Sequence, residues 1–229
     1  MCLPGFLDGG NYGHMQAHRA YVAQRWYLCV SFDPPGTFAS PGDIHLYTVT
    51  NYVHAIHELI AYFWNKSTTL LGHSMWWTIA LLASFENEYI EKTISIMSPY
   101  DMATRYQDKI WTSRQTTWYR SHTRNMQDND IVHTYSVPRS FAEDAMRYDM
   151  LQELQTSVKP KLFIIGKEDS IVNPQEAKAW YVCAGEPKQL VIVDAYDHNY
   201  RNFPEVIEQI NKTVEQFIGE QPWDLVDVR

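Results

Sequence analysis

The sequence predicts an α/β protein: a mostly parallel central sheet with helices on both faces and a helical cap insertion near the middle of the chain. Three observations predict it. Short β-branched or aliphatic runs alternate with longer stretches of helical period, Gly, Pro and Asp punctuate the changes, and the rhythm breaks once, at about residues 100–157. With 45% hydrophobic and 20% charged residues among 229, the chain can fill one sizeable core, which excludes a disordered chain, a collagen and a coiled coil.

Residues 27–32 (YLCVSF) read as a strand ending in the turn Asp33-Pro34-Pro35-Gly36. Residues 48–63 then place Val49, Val53, Ile56, Leu59 and Ile60 at helical spacing. A short buried strand follows at 68–71, a helix at 78–85 and a strand at 92–97, stopped by Ser98-Pro99. The alternation resumes with a strand at 161–165, a helix at 176–182, a strand at 190–193 and a helix at 204–218. Between them, 100–157 lacks apolar strand runs and is rich in Arg, Gln, Thr and aromatics. It reads as a mostly helical insertion over the sheet of a single domain spanning 1–229.

Nineteen Lys and Arg against twenty-seven Asp and Glu give a formal charge of −8, and the basic residues form no run. Nucleic acid is therefore not an expected partner, because phosphate binding needs clustered positive charge. The apolar stretches are too short or too interrupted to span a bilayer, and no signal-peptide pattern is visible, so the reading is a cytoplasmic protein without a membrane partner. Cys2, Cys29 and Cys183 have no framework spacing, and neither structural disulfides nor cysteine zinc sites are expected.

Chemistry enters at Gly72-His73-Ser74-Met75, where a buried strand meets a helix. A serine on such a bend is held with Oγ exposed at the carboxyl end of the sheet. Its hydroxyl needs a base, and the base an orienting acid. The strand at 161–165 leads into a loop carrying Asp169, and the strand at 190–193 into one carrying His198. Serine, acid and histidine thus follow in that order, each just past the end of its own strand.

In these residues the chain resembles the α/β-hydrolase family. The matching pieces are GHSM at 72–75, LPGF at 3–6, DPPGT at 33–37, PKLFIIGKED at 160–169 and DHNYR at 197–201. The resemblance spans nearly the whole chain. It implies Ser74 as nucleophile, His198 as general base and acid, Asp169 as the orienting carboxylate, and the N–H groups of Phe6 and Met75 as the oxyanion hole. It further implies a serine esterase cleaving small or medium carboxylic esters through an acyl-enzyme, with no cofactor and a small-molecule ester as partner.

Two departures from the family pattern stand out. Small residues are expected two positions either side of the nucleophile; Gly72 complies, whereas Trp76 and Trp77 follow it. Those indoles suggest a filled substrate pocket or an obstructed elbow, and their replacement by glycine is expected to raise reactivity. The second departure is the start: Met1 and Cys2 alone precede Leu3. The central strand that normally leads into the LPGF-like loop is therefore expected to be missing or shortened, in a shortened chain, with the tail at 222–229 as a less favoured substitute.

The remaining candidates have plainer readings. His14 and His18 stand four apart, and His54, His57 and Glu58 cluster, but neither group shows a diagnostic third ligand, and no metal is expected. Asp194 and Asp197 compete with Asp169 as orienting acid, and Asp33 reads as a turn residue. Trp111 and Trp118 are the pocket candidates of the insertion. The opposing functional reading is a catalytically silent or altered protein of the same fold that binds an apolar ligand or a partner.

Overall fold

The computed structural model describes residues 1–98, the backbone of 116–121, and residues 132–219. Among these, five strands form one parallel sheet in the order β1 (Cys2–Leu3), β2 (Thr68–His73), β3 (Ile90–Ile96), β6 (Lys161–Gly166), β7 (Lys188–Val193). Parallel neighbours require crossovers, and intervening helices supply them: α1 (Gly13–Ala23), α2 (Val49–Tyr62), α3 (Trp76–Glu86) and α6 (Pro174–Cys183), while α7 (Pro204–Gly219) follows the last strand.

Strands β2, β3 and β6 are buried on both faces over most of their length, and their side chains alternate between two cores. Leu70 and Phe163 face the core shared with α2 and α3, whereas Leu71, Leu162 and Ile164 face the one shared with α1 and α7. The helix α7 is amphipathic and buries one stripe, through Val206, Ile210, Val214 and Phe217. By contrast α3 is buried all round, from Trp76 to Ser84, because it is wedged between the sheet and α2. Strand β6 carries a cation inward: Lys161 is fully buried, its Nζ donating to the carbonyls of Ser157 and Lys159, and burial pulls its pKa down to about 8.

At the start of the chain the central strand is present but shortened to two residues. Cys2 and Leu3 pair with Leu71 and Gly72, while on the other side the Cys2 N–H donates to the Val30 carbonyl at 2.8 Å and Cys2 bridges Ser31. Two residues of strand therefore occupy the place between the two neighbours, at the level where the loop of 4–8 begins. Conversely, the strand read at 27–32 shrinks to that single bridge at Ser31. The ladder it joins is two residues long, and Trp26 and Leu28 are left exposed. The tail at 222–229 lies outside the described residues.

The insertion contains helices α4 (Arg139–Ala145) and α5 (Leu151–Thr156), but also an antiparallel pair, β4 (Thr116–Ser121) with β5 (Val132–Val137). Thr, Trp and Tyr in β4 and Val, Thr and Tyr in β5 suit a pleated surface without forming the apolar run of a buried strand. The pair is tied to the sheet domain at Tyr135, whose hydroxyl accepts from the Phe38 N–H at 2.6 Å and whose ring meets Phe38 edge-on.

Candidate active site

Strand β2 ends in His73, and Ser74 follows with φ of 56°, in the left-handed region that a non-glycine residue occupies at a cost of about 1–3 kcal/mol. The bend is fixed on both sides. The Ser74 N–H donates to the Ile96 carbonyl at 2.9 Å, and α3 begins two residues later. The turn is also tight: a Cβ at Gly72 would lie 2.5 Å from the N and Cα atoms of Trp77. Strand and helix backbones nearly touch there, and only glycine permits it.

Ser74 Oγ is 2.9 Å from His198 Nε2, and His198 Nδ1 is 2.8 Å from Asp169 Oδ2. An ionised carboxylate can only accept, so Nδ1 carries the imidazole proton and Nε2 is left to accept from the Ser74 hydroxyl. Asp169 is itself held: its other oxygen accepts from the N–H groups of Ile171 and Val172, each at 2.8 Å. The Asp169 and His198 side chains are only 1% and 6% exposed, so their contact is shielded from water. The competing acids point elsewhere, Asp197 accepting from Ser170 Oγ at 2.9 Å and Asp194 facing Lys167.

Met75 follows the serine as the residue capping α3, and Phe6 lies in the loop after β1. That loop is pinned by three contacts: the Leu7 N–H donates to Tyr47 Oη at 2.8 Å, Asp8 N–H to the Gly5 carbonyl at 2.9 Å, and Trp76 Nε1 to the same carbonyl at 2.6 Å. The Phe6 ring lies edge-on to Tyr47 and Phe141.

Among the described residues, the two tryptophans pack beneath the elbow rather than across it. Trp76 is 0% and Trp77 1% exposed. Trp76 packs edge-on against Tyr47 and Tyr52, and Trp77 against Phe163 and Trp180, so the two indoles diverge from the turn into the core beneath it. The pocket reading of Trp76 is thereby replaced by one of support. Trp118 falls on β4 opposite Tyr135, and Trp111 lies outside the described residues.

Beneath His198 is a group the sequence did not disclose, because its members come from separate segments. The His73 ring lies 5.0 Å from that of His198 and 5.4 Å from that of His14, and Tyr200 closes the cluster. Burial pushes the His73 pKa well down, keeping the imidazole neutral. His18 completes the layer, hydrogen-bonded to Asn211 Oδ1 at 2.6 Å and Tyr200 Oη at 2.9 Å, and burial lowers its pKa to about 4. Asp33, as its turn reading implied, accepts from the N–H groups of Gly10 and Ala39.

Asp8, His14 and His73 have donor atoms within 4.8 Å of one another, all buried. Asp8 already faces the Arg201 guanidinium at 3.4 Å, so a divalent ion would add net charge to a buried site whose anion is compensated.

No family model matches the sequence, and no curated protein matches it. Solved structures do. Alpha/beta hydrolase domain-containing protein 10 from mouse aligns with a TM-score of 0.74 at 18% identity, over 95% of this chain and 88% of that one. Monoacylglycerol lipase from Paleococcus ferrophilus gives 0.74 at 15%, over 95% and 92%. The esterase domain of a Rhodothermus marinus protein gives 0.65 at 18%, over 95% and 86%. With its parallel sheet, its sharp strand-to-helix turn at Ser74 and these neighbours, the chain has the α/β-hydrolase fold.

Proposed function

We propose that the protein is a serine hydrolase of small or medium carboxylic esters. The observation that carries this reading is the unbroken hydrogen-bonded line from Ser74 Oγ through His198 to Asp169. Ser74 Oγ attacks the ester carbonyl carbon while His198 Nε2 takes its proton, and Asp169 stabilises the resulting imidazolium. The N–H groups of Phe6 and Met75 receive the oxyanion. Collapse of the tetrahedral intermediate expels the alcohol, which takes the proton from His198, and leaves an acyl ester on Ser74. Water activated by the same histidine then releases the acid.

The likeness to a lipase and an esterase domain supports ester substrates without specifying the acyl or alcohol group. The opposing reading, a silent fold with an elbow obstructed by indoles, loses its motive because both indoles are buried beneath the turn. Fluorophosphonate labelling with peptide mapping, alongside turnover of p-nitrophenyl esters of increasing chain length, tests the proposal. Modification at Ser74 and hydrolysis lost in Ser74→Ala are the expected results. A folded protein that neither labels nor hydrolyses any of these esters would overturn it.

A further inference from the structure

At the opposite end of β1 from the loop of 4–8, a cavity of about 730 Å³ opens between the sheet and the stretch 27–30. Cys2 and Cys29 both line it, together with Leu28, Thr69 and Lys92. Cys2 is buried on β1 and Cys29 is half-buried, and their sulfurs lie 3.5 Å apart. Two thiols at that distance on adjoining stretches of chain, facing a space that admits a small molecule, form a site that plays no part in ester hydrolysis. We propose that Cys29 and Cys2 are a thiol–disulfide exchange pair that takes a low-molecular-weight disulfide, such as oxidised glutathione, as its substrate.

The division of labour follows from exposure and charge. Cys29 is the more accessible sulfur, and the hydrogen bond from Cys2, assisted by the Arg19 charge, holds its thiol pKa below the ordinary value. The same contact and its own burial push Cys2 upward. Cys29 is therefore the attacking thiolate and Cys2 the resolving thiol. Cys29 Sγ attacks one sulfur of the oxidised glutathione, breaking its S–S bond, releasing one glutathione thiolate and leaving a mixed disulfide on Cys29. Cys2, giving up its proton, then attacks Cys29 Sγ and expels the second glutathione thiolate. Two protein thiols are oxidised by two electrons, one small disulfide is reduced to two thiols, and the two thiol protons pass to the leaving groups.

Closing the protein disulfide requires the sulfurs to approach by about 1.5 Å. The stretch carrying Cys29 can supply that movement. It belongs to no strand, and the bonds that hold it fall on Tyr27, Val30 and Ser31. The product would fasten this stretch to β1, the strand from which the loop of Phe6 departs.

The test is incubation of the folded, reduced full chain with oxidised glutathione, read by intact mass and non-reducing peptide mapping. The expected result is a loss of about 2 Da and a single Cys2–Cys29 linked peptide, with Cys183 left as a thiol, restored by dithiothreitol. Oxidised protein should melt several degrees above the reduced form. Cys29→Ser should form no link, while Cys2→Ser should stop at a lasting glutathionyl group on Cys29, and the second variant stands if the first does not fold. A wild-type chain that halts at the mixed disulfide, or links these cysteines only after unfolding in urea, overturns the proposal.

Discussion

The indole Nε1 of Trp76 donates to the carbonyl of Gly5 at 2.6 Å, joining the second residue after Ser74 to the loop that carries Phe6. The bulky residue at this position thus serves the site from below. It couples the start of α3 to the loop, so the two backbone donors proposed for the oxyanion are held by one side chain.

Trp76→Phe should keep most of the buried ring and delete this bond, leaving the Gly5 carbonyl with the Asp8 N–H as its remaining donor, at a cost of about 0.5–1.5 kcal/mol. Phe6 then loses part of its positioning, and kcat for a short ester should fall about tenfold or more while KM changes little. Trp77→Phe is the control, because Trp77 Nε1 is buried with no hydrogen-bond partner and nothing polar is lost. Equal activity in the two variants would show that the Trp76 contact is packing alone. The sequence suggested that replacing both by glycine would raise reactivity; the packing of the two indoles leads to the opposite expectation. The replacement should unfold the site, since each emptied indole space costs about 3–5 kcal/mol.

Asp169→Asn should lower kcat by about four orders of magnitude, because an amide no longer fixes the tautomer that leaves His198 Nε2 free to accept. The fold should survive, since an Asn oxygen can still accept from the Ile171 and Val172 N–H groups that Asp169 Oδ1 now serves. Asp197→Asn should leave the rate within about twofold, its carboxylate being engaged with Ser170. A large loss in Asp197→Asn with a mild one in Asp169→Asn would reverse the assignment.

The order of Ser74, Asp169 and His198 along the chain was legible because each follows a strand whose apolar run is unmistakable, as in KLFIIG and KQLVIV. The helix α2 was legible for the same reason, its apolar residues recurring at a period its burial reproduces. What escaped lacked a local signal. A two-residue strand at Cys2–Leu3 has no periodicity to detect, and its pairing depends on segments thirty to seventy residues away. The hairpin of β4 and β5 alternates polar and apolar residues too weakly to separate from an amphipathic helix. The direction of the two indoles is set by tertiary packing, so sequence spacing alone suggested crowding where the structure has support.

Stability should depend on pH through His18. Its folded pKa, near 4, lies below the ordinary value of 6.5, so the unfolded chain takes up the proton first. The contribution of the neutral, buried imidazole is fully present above pH 6.5 and is lost as pH falls from there towards 4. The interval corresponds to about 3 kcal/mol at the acid end. His73, also lowered by burial, adds in the same direction. Urea midpoints measured between pH 7.5 and 4.5 should fall, and the fall should be shallower in His18→Gln. An unchanged slope in that variant would assign the acid sensitivity to other groups.

Gly72→Ala tests the turn itself. The added Cβ would meet the backbone of Trp76 and Trp77 at 2.5–2.8 Å, distances that backbone atoms cannot relieve by a rotamer change. Either α3 moves away from β2 or the strand end shifts, and both displace Ser74, whose left-handed backbone depends on the bond from its N–H to Ile96. Overpacking of this kind costs about 1–3 kcal/mol even where the structure can yield. The variant should therefore melt well below the parent. Whatever folds should react with a fluorophosphonate about a hundredfold more slowly, because Oγ and the Met75 N–H move together. The same Cβ at Gly13, where it would meet nothing within 4 Å, should change melting by less than about 1 kcal/mol equivalent and leave the labelling rate intact. A Gly72→Ala protein that melts and labels like the parent would show that the close approach of strand and helix is not what positions the nucleophile.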